Sequence, residues 1–149
     1  MFKFGKNWLH YIRTLNNNKI ILAQRSLQSF IEYRTFTNKK ICDVGSGSGL
    51  FSLAARNLGA DVVSFDIDAE SIACVQYLKK RYYPSDSRWT IRRGSMLNVR
   101  FMKSVGVFDC VYCWGVAHHT GNMNKALENL VPLCKKNGLL YLAIYNDQG

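Results

Sequence analysis

The stretch ICDVGSGSGL, residues 41–50, decides the fold, because an apolar run passes directly into a loop built from alternating glycines. The run ICDV predicts a short buried strand that carries one acid, Asp43. Gly45, Gly47 and Gly49 predict a tight turn whose backbone a ligand can approach closely, since glycine has no side chain in the way. The helix predicted to follow makes this segment one half of a parallel α/β unit.

The rest of the chain continues this alternation of strands and helices. The other predicted strands are VVSFDI (62–67), WTIRR (89–93), FDCVYCW (108–114) and LLYLAIY (139–145). The predicted helices are LFSLAARNL (50–58), AESIACVQYLKKRYY (69–83) and NMNKALENLVPLCKK (122–136). This pattern predicts a Rossmann-like, doubly wound parallel sheet. Right-handed crossovers predict the strand order 3-2-1-4-5, with a ligand site where the first and fourth strands end.

The spacing of the glycines argues against two phosphate-binding loops. A P-loop has a lysine after its last glycine, whereas Leu50 follows Gly49. A dinucleotide loop reads GxGxxG, and counting from Gly45 puts Leu50 where the third glycine belongs. A GxGxG loop suits a ligand without a pyrophosphate, such as S-adenosylmethionine. A nicotinamide-dependent oxidoreductase is a distant alternative.

Two acids lie next to this loop. Asp66 ends the second predicted strand, 21 residues after Gly45, where nucleotide-binding folds place the carboxylate that accepts hydrogen bonds from ribose hydroxyls. Its alternative role, capping the next helix, fits Asp68 better. Asp43 either fixes the loop by accepting backbone N–H bonds or reaches the amino group of the ligand through water, because a buried acid needs such a partner.

Taken together, four segments resemble the class I S-adenosylmethionine-dependent methyltransferases over about residues 38–147. ICDVGSGSG is similar to their glycine-rich first motif, VVSFDID to the second, RRGSML to the third and FDCVYCWGVAHHT to the segment around the fourth strand. The last segment is closest to small-molecule members such as the quinone-biosynthesis methyltransferases. Their order and spacing make the resemblance specific.

The resemblance implies S-adenosyl-L-methionine as the cofactor. Asp66 would hold the ribose, Ile67 would pack near the adenine, and Ser95 and Met96 would border it; many members have an acid at position 95. Trp114 either flanks the methionine part of the cofactor or is a core aromatic residue. The predicted cofactor-binding residues are Asp43, Gly45, Ser46, Gly47, Gly49, Asp66, Ile67, Ser95, Met96 and Trp114.

A histidine pair follows the fourth predicted strand. Methyl transfer from a sulfonium is an in-line displacement, so the protein mainly positions and desolvates the reactants. A base is needed only for an acceptor with a proton of high pKa, such as a phenol. His118 and His119 are the predicted catalytic residues, because imidazole titrates near neutral pH. Alternatively, they orient the loop, and the sequence does not rank them.

The chain is predicted to contain a helical lead-in at 1–37 and one cofactor-binding domain at 38–149. Apolar residues recur at helical spacing on both sides of the break NNN at 16–18. The family sheet usually has seven strands, of which this chain accounts for five. Strands 6 and 7 are therefore expected to be missing, which makes cofactor binding a stronger expectation than catalysis.

Composition excludes several other classes. No apolar run approaches the ~18 residues that a membrane-spanning helix needs. The five cysteines are odd in number and lie in apolar segments, which predicts reduced thiols in a cytoplasmic protein. Cys110 and Cys113 have CxxC spacing, but a strand would direct them to opposite faces, so no metal site is predicted.

The net charge of +10 is concentrated at the N-terminus, where residues 1–40 hold eight lysines or arginines and one acid. Such a segment suits nucleic acid, an anionic membrane surface or an acidic substrate. Its basic residues are scattered and no nucleic-acid motif accompanies them, which favours a solvated face.

The predicted function is methyl transfer to an O or N atom of a small molecule. The alternatives are a nucleic-acid methyltransferase and a non-catalytic cofactor-binding module; the former usually has an Asn/Asp-Pro-Pro-aromatic run where WGVAHHT stands.

Overall fold

Five parallel strands with helices on both faces form the core of the computed structural model, which describes residues 5–33 and 35–145. The strands are β1 (Lys40–Val44), β2 (Asp61–Asp66), β3 (Trp89–Arg93), β4 (Phe108–Trp114) and β5 (Cys134–Ala143). They lie in the order β3-β2-β1-β4-β5, which confirms the order predicted from the sequence.

Six α-helices cover the sheet in the described part of the chain. They are α1 (Gly5–Arg13), α2 (Asn17–Phe30), α3 (Leu50–Asn57), α4 (Ala69–Tyr82), α5 (Val99–Val105) and α6 (Met123–Leu130). The first four helices pack on one face of the sheet, and α5 and α6 pack on the other. Cys110 lies in the first of these two cores and Cys113 in the second, as the alternation of side chains along a strand predicts.

The parallel register brings the polar residues of the central strands into one row. Asp43 of β1 lies opposite Ser64 of β2 and Tyr112 of β4, and Tyr112 lies opposite Tyr141 of β5. Partners in register project from the same face, so these four side chains all point toward α1–α4. One acid is thereby placed among a hydroxyl and two phenols.

Helix starts follow the side-chain caps that the sequence offers. Asp68 caps α4 by accepting the backbone N–H of Ser71, as predicted, and Asn16 caps α2 by accepting that of Lys19. The break between α1 and α2 therefore spans residues 14–16, and the other two asparagines of the NNN run already belong to α2. In contrast, the N-cap of α3 is Gly49, so this helix has no side-chain cap.

Two helices in the second half of the chain differ from the predicted segments. Within 122–136, Pro132 is predicted to end or bend the helix, and the helix does end at Leu130, because proline has no N–H for an i→i−4 hydrogen bond; a short 3-10 turn, Val131–Leu133, follows. The helix α5 was not predicted, although Asn98 caps it by accepting the N–H of Phe101.

The start of the fifth strand also differs from the prediction. Cys134 already pairs with Phe108, whereas Leu139 pairs with Cys110, so the residues between them bulge out of the ladder. Asn137 adopts φ +63° there, and the pair Asn137–Gly138, whose residue types are typical of a turn, lies inside the strand rather than before it. The strand ends at Ala143, two residues earlier than predicted.

The N-terminal helices share a core with the sheet. Ile12 of α1 and Leu27 of α2 are buried in the same cluster as Ile41 of β1 and Leu78 of α4. Residues 1–4 of the predicted lead-in and residues 146–149 of the predicted domain lie outside the described residues, and the boundary at 37/38 stays a prediction. Within residues 5–33 and 35–145, no helix is long and apolar enough to cross a bilayer.

Candidate functional site

The glycine loop is fastened to the end of β2. The backbone N–H groups of Gly45 and Ser46 both donate to the carbonyl of Phe65, at 2.9 and 3.1 Å. The N–H of Gly47 donates to the Asp66 carboxylate at 3.0 Å. The loop therefore has a fixed shape at the carboxyl edge of the sheet, between the ends of β1 and β2.

The three glycines are required by conformation and by space. Their φ angles are +66° at Gly45, +54° at Gly47 and +83° at Gly49, all in the left-handed region. A Cβ atom on Gly45 would lie 2.5 Å from Val116, and one on Gly47 would lie 3.0 Å from the indole nitrogen of Trp8. The loop after β4 and the helix α1 thus both pack directly against the glycine loop.

Asp66 lies where a ribose-binding acid would be needed. One of its oxygens accepts the N–H of Gly47, and the other accepts the N–H of Asp68 at 2.9 Å. Each carboxylate oxygen keeps a further lone pair for a ligand. Burial raises the pKa of Asp66, and the two backbone hydrogen bonds act against this by stabilising the charged form.

Asp43 ends a buried chain of hydrogen bonds. Trp89 Nε1 donates to Ser64 Oγ at 2.9 Å, the Ser64 and Ser52 hydroxyls lie 2.6 Å apart, and Ser52 Oγ donates to Asp43 at 2.5 Å. Ser52 has a single hydroxyl proton and donates it to Asp43, so in the Ser52–Ser64 pair Ser64 is the donor and Ser52 is the acceptor. These four side chains are at most 5% exposed. The carboxylate is therefore held by Ser52 of α3 and not by the glycine loop.

The pKa of Asp43 predicts a pH effect on stability. Burial raises this pKa from 3.8 to about 6, so the folded carboxyl keeps a proton that the unfolded carboxyl has released. The free energy of unfolding should then decrease as the pH rises from about 4 to about 6, by about 3 kcal/mol at most. Urea unfolding of the wild type and Asp43→Asn across this range measures it.

The asparagine variant isolates the contribution of Asp43. Asp66 adds to the decrease, since its pKa is also raised, whereas His118 opposes it, since its pKa is lowered. Both groups remain in Asp43→Asn, and the asparagine oxygen can still accept from Ser52. The variant should show a flatter pH profile; two parallel profiles would contradict the assignment.

Three buried polar atoms near the loop have no hydrogen-bond partner in the described part of the chain. They are Ser46 Oγ, Tyr112 Oη and His118 Nδ1. Ser46 lies in the glycine loop, Tyr112 lies beside Asp43, and His118 lies in the loop after β4. Buried polar atoms are rarely unpaired, and each of these three could form a hydrogen bond with a bound ligand or with water. S-adenosylmethionine, with its ammonium, carboxylate and ribose hydroxyls, fits such a set.

The other predicted cofactor residues lie on three segments around the loop. Ile67 follows Asp66 and is 51% exposed. Ser95 is half-buried and accepts the N–H of Leu97, whereas the Met96 side chain is buried in the core on the α5–α6 side. Trp114 is 38% exposed and stacks on other aromatic rings. The roles of these residues toward a cofactor remain predictions.

The histidine pair forms a short 3-10 turn, Ala117–His119. The two imidazole centroids lie 3.9 Å apart, and Tyr145 packs edge-on against His118 at 5.5 Å. Burial, followed by the neighbouring His119, lowers the pKa of His118. His118 is half-buried and His119 is exposed, which distinguishes two residues that the sequence did not rank.

Several residues around the site were not found by sequence reasoning. Trp8 contacts Gly47 from α1, and Tyr145 contacts Gly115 from beyond β5. Both contacts join distant segments, so no local pattern indicates them. Tyr112, in contrast, could have been predicted from the sequence. Once the strand order is known, its position in β4 places it in register with Asp43 of β1.

Comparisons with known proteins agree with this geometry. Residues 11–148 match the family described as Methyltransferase domain. The chain is 25% identical over 108 residues to a ubiquinone biosynthesis O-methyltransferase of Glaesserella parasuis, covering 72% of this chain and 46% of that protein. It is 31% identical over 115 residues to a ribosomal protein L11 methyltransferase of Prochlorococcus marinus, covering 76% and 37%. The chain thus spans less than half the length of these curated relatives.

A solved structure shows the same fold. The magnesium protoporphyrin IX methyltransferase of Synechocystis PCC 6803, crystallised with bound SAH, superimposes with a TM-score of 0.62 at 20% sequence identity. The match covers 81% of this chain and 57% of that one. At this identity the likeness establishes the fold and not the roles of individual residues.

Proposed function

Since this chain belongs to the methyltransferase-domain family of class I S-adenosylmethionine-dependent methyltransferases, we propose that it transfers a methyl group from S-adenosyl-L-methionine to an O or N atom of a small molecule. The observation that carries the proposal is the pairing of Asp66 with the N–H of Gly47. It supports the proposal because it holds a carboxylate that can accept ribose hydroxyls against the backbone that a cofactor would approach. Cofactors that contain a nucleoside need both in one place.

The proposed cofactor contacts follow from the polar groups of the loop. Asp66 accepts the ribose hydroxyls, and the unpaired hydroxyls of Ser46 and Tyr112 supply hydrogen bonds to the polar amino-acid end. The Asp43 carboxylate, fixed by Ser52, adds negative charge near that end. The positive φ angles keep side chains off the loop, so backbone and ligand meet directly.

His118 is the proposed base for acceptors that must lose a proton. S-adenosylmethionine, when bound, supplies a methyl group on a positively charged sulfur that is already electrophilic. An acceptor oxygen or nitrogen of this kind loses a proton when it is methylated, and His118 would accept that proton at an imidazole nitrogen. Its lowered pKa keeps the imidazole neutral near pH 7 and able to accept.

A pair of variants tests this role. For a phenolic acceptor, His118→Gln should lower the rate of methyl transfer about a hundredfold relative to His119→Gln, because the base is lost while the turn is kept. Cofactor binding, measured by calorimetry with S-adenosylhomocysteine, should be similar in both variants. Equal rates in the two variants would show that His118 is not the base.

The function itself is tested in two stages. Calorimetry with S-adenosylhomocysteine first establishes whether the chain binds the cofactor product. Methyl-labelled cofactor is then incubated with pools of small phenols, small amines, RNA and ribosomal protein L11. Transfer to a small-molecule pool supports the proposal, whereas tight binding without transfer to any pool supports a non-catalytic module. Transfer to RNA, weakening steeply with salt, would support the nucleic-acid alternative.

A further inference from the structure

Exposed aromatic side chains lie on the sheet beside the site. The aromatic surface consists of Phe30 at the end of α2, Trp114 at the end of β4, Tyr145, and the half-buried Tyr141 of β5 beneath them. Phe30 is 45% exposed, Trp114 is 38% exposed and Tyr145 is 57% exposed. Contiguous aromatic groups of this size are seldom left in water unless they bind something.

The aromatic surface is continuous with the proposed reaction centre. Trp114 Nε1 donates to the Tyr145 hydroxyl at 2.7 Å, and the Tyr145 ring packs against Gly115 and His118. The next residue in the chain, Val116, contacts Gly45 of the glycine loop. A molecule on the aromatic surface would therefore lie beside His118.

The ring planes indicate what the surface binds. Trp114 and Tyr141 are within 10° of parallel with centroids 5.6 Å apart, and Phe30 is tilted by less than 30° from both. Aromatic cages for ammonium groups surround a cation with ring faces, whereas near-parallel rings offer a face for one more flat ring. The arrangement therefore favours a planar aromatic ligand over a cationic amine.

We propose that the aromatic surface binds the ring of the methyl acceptor, which makes the acceptor an aromatic alcohol or an aromatic amine. This inference rests on the proposed function and specifies its substrate class. The Tyr145 hydroxyl accepts from Trp114, and among residues 5–33 and 35–145 it donates to no acceptor. Its proton is available for a polar substituent on the ring, which would orient the nucleophile relative to His118.

The experiment compares two ligands that differ in aromaticity. Binding of 2-naphthol and of decahydro-2-naphthol is measured by saturation-transfer NMR on the chain saturated with S-adenosylhomocysteine. Both carry one hydroxyl on two fused rings, but only the first has a flat π face. We expect 2-naphthol to bind and the saturated alcohol to bind at least about tenfold more weakly.

Two leucine variants locate the binding. Phe30→Leu should weaken 2-naphthol binding about tenfold without changing S-adenosylhomocysteine binding, because the ring of Phe30 stacks on Trp114 and Tyr141 of the aromatic surface. The control is Tyr77→Leu, which removes an aromatic ring that is 47% exposed on α4. Unchanged unfolding curves in both variants exclude a general loss of structure.

Each other outcome overturns the inference. Equal affinity for the two alcohols would show that flat rings are not recognised. Wild-type 2-naphthol binding in Phe30→Leu would place the ligand elsewhere. A dimer that Phe30→Leu converts to a monomer would show that a second copy covers the surface. The proposed function is judged separately, because S-adenosylhomocysteine binding without naphthol binding removes only the substrate class.

Discussion

Replacing Asp66 with alanine is expected to weaken S-adenosylhomocysteine binding by about a hundredfold or more. The substitution removes the charged acceptor proposed for the two ribose hydroxyls, and each hydrogen bond to a charged group contributes about 1.5–3 kcal/mol. It also removes the acceptor of the Gly47 N–H, which lies 3.0 Å from the carboxylate and helps to hold the glycine loop. Calorimetric titration of the folded variant measures the loss.

The control for Asp66→Ala is Asp61→Ala, at the opposite end of the same strand. Asp61 is paired with Arg88 on an exposed part of the surface, far along β2 from the loop. Asp61→Ala removes the same charge as Asp66→Ala, but it should leave the affinity for S-adenosylhomocysteine unchanged. Asp66→Asn should fall between the two, because an amide retains one acceptor oxygen. Wild-type affinity in Asp66→Ala would remove the main support for cofactor binding at this loop.

Gly45→Ala is expected to lower the free energy of unfolding by about 3 kcal/mol, the largest stability effect predicted for a single methyl group. A positive φ costs an L-residue roughly 1–2 kcal/mol, and forcing a methyl group into a packed region costs about 1–3 kcal/mol more. Gly45 has φ +66°, and its added Cβ would lie 2.5 Å from a methyl carbon of Val116. Urea denaturation of the variant measures the sum.

Two further variants separate these causes. Gly121 has φ +82° but nothing within 4 Å of an added Cβ, so Gly121→Ala should show only the backbone cost, about 1–2 kcal/mol. Val116→Ala in the Gly45→Ala background should recover part of the loss, because it removes the atoms that clash. An equal loss in Gly45→Ala and Gly121→Ala would mean that the loop after β4 does not press on Gly45.

The strand order was predictable because β1, β2 and β4 each combine an apolar run with a clear turn or cap. The errors lie where a local signal is short or has two interpretations. The helix α5 is only seven residues long, and its cap Asn98 was not recognised as one. Asn137 and Gly138 predict a turn, but the chain uses them for a bulge within β5, which depends on pairing with β4.

The site was predictable where chemistry resides in consecutive residues and not where the fold assembles it. The glycines and Asp66 lie in short segments with defined spacing. The partner of Asp43 is Ser52, whose hydroxyl reaches it only after α3 packs on β1. Likewise, Phe30 meets Trp114 and Tyr141 through packing of α2 on the far edge of the sheet. Such contacts have no periodicity or spacing in the sequence.

The double attachment of the glycine loop to β2 has a consequence for building chimeras. Phe65 and Asp66 are neighbours in the chain, and between them they accept three N–H groups of the loop. A graft of residues 40–50 into another scaffold would leave those three donors without acceptors unless residues 61–66 moved with it. The whole segment 40–66, which contains β1, the glycine loop, α3 and β2, is therefore the smallest unit that recombination could exchange intact, and crossover points within it should give poorly folded hybrids.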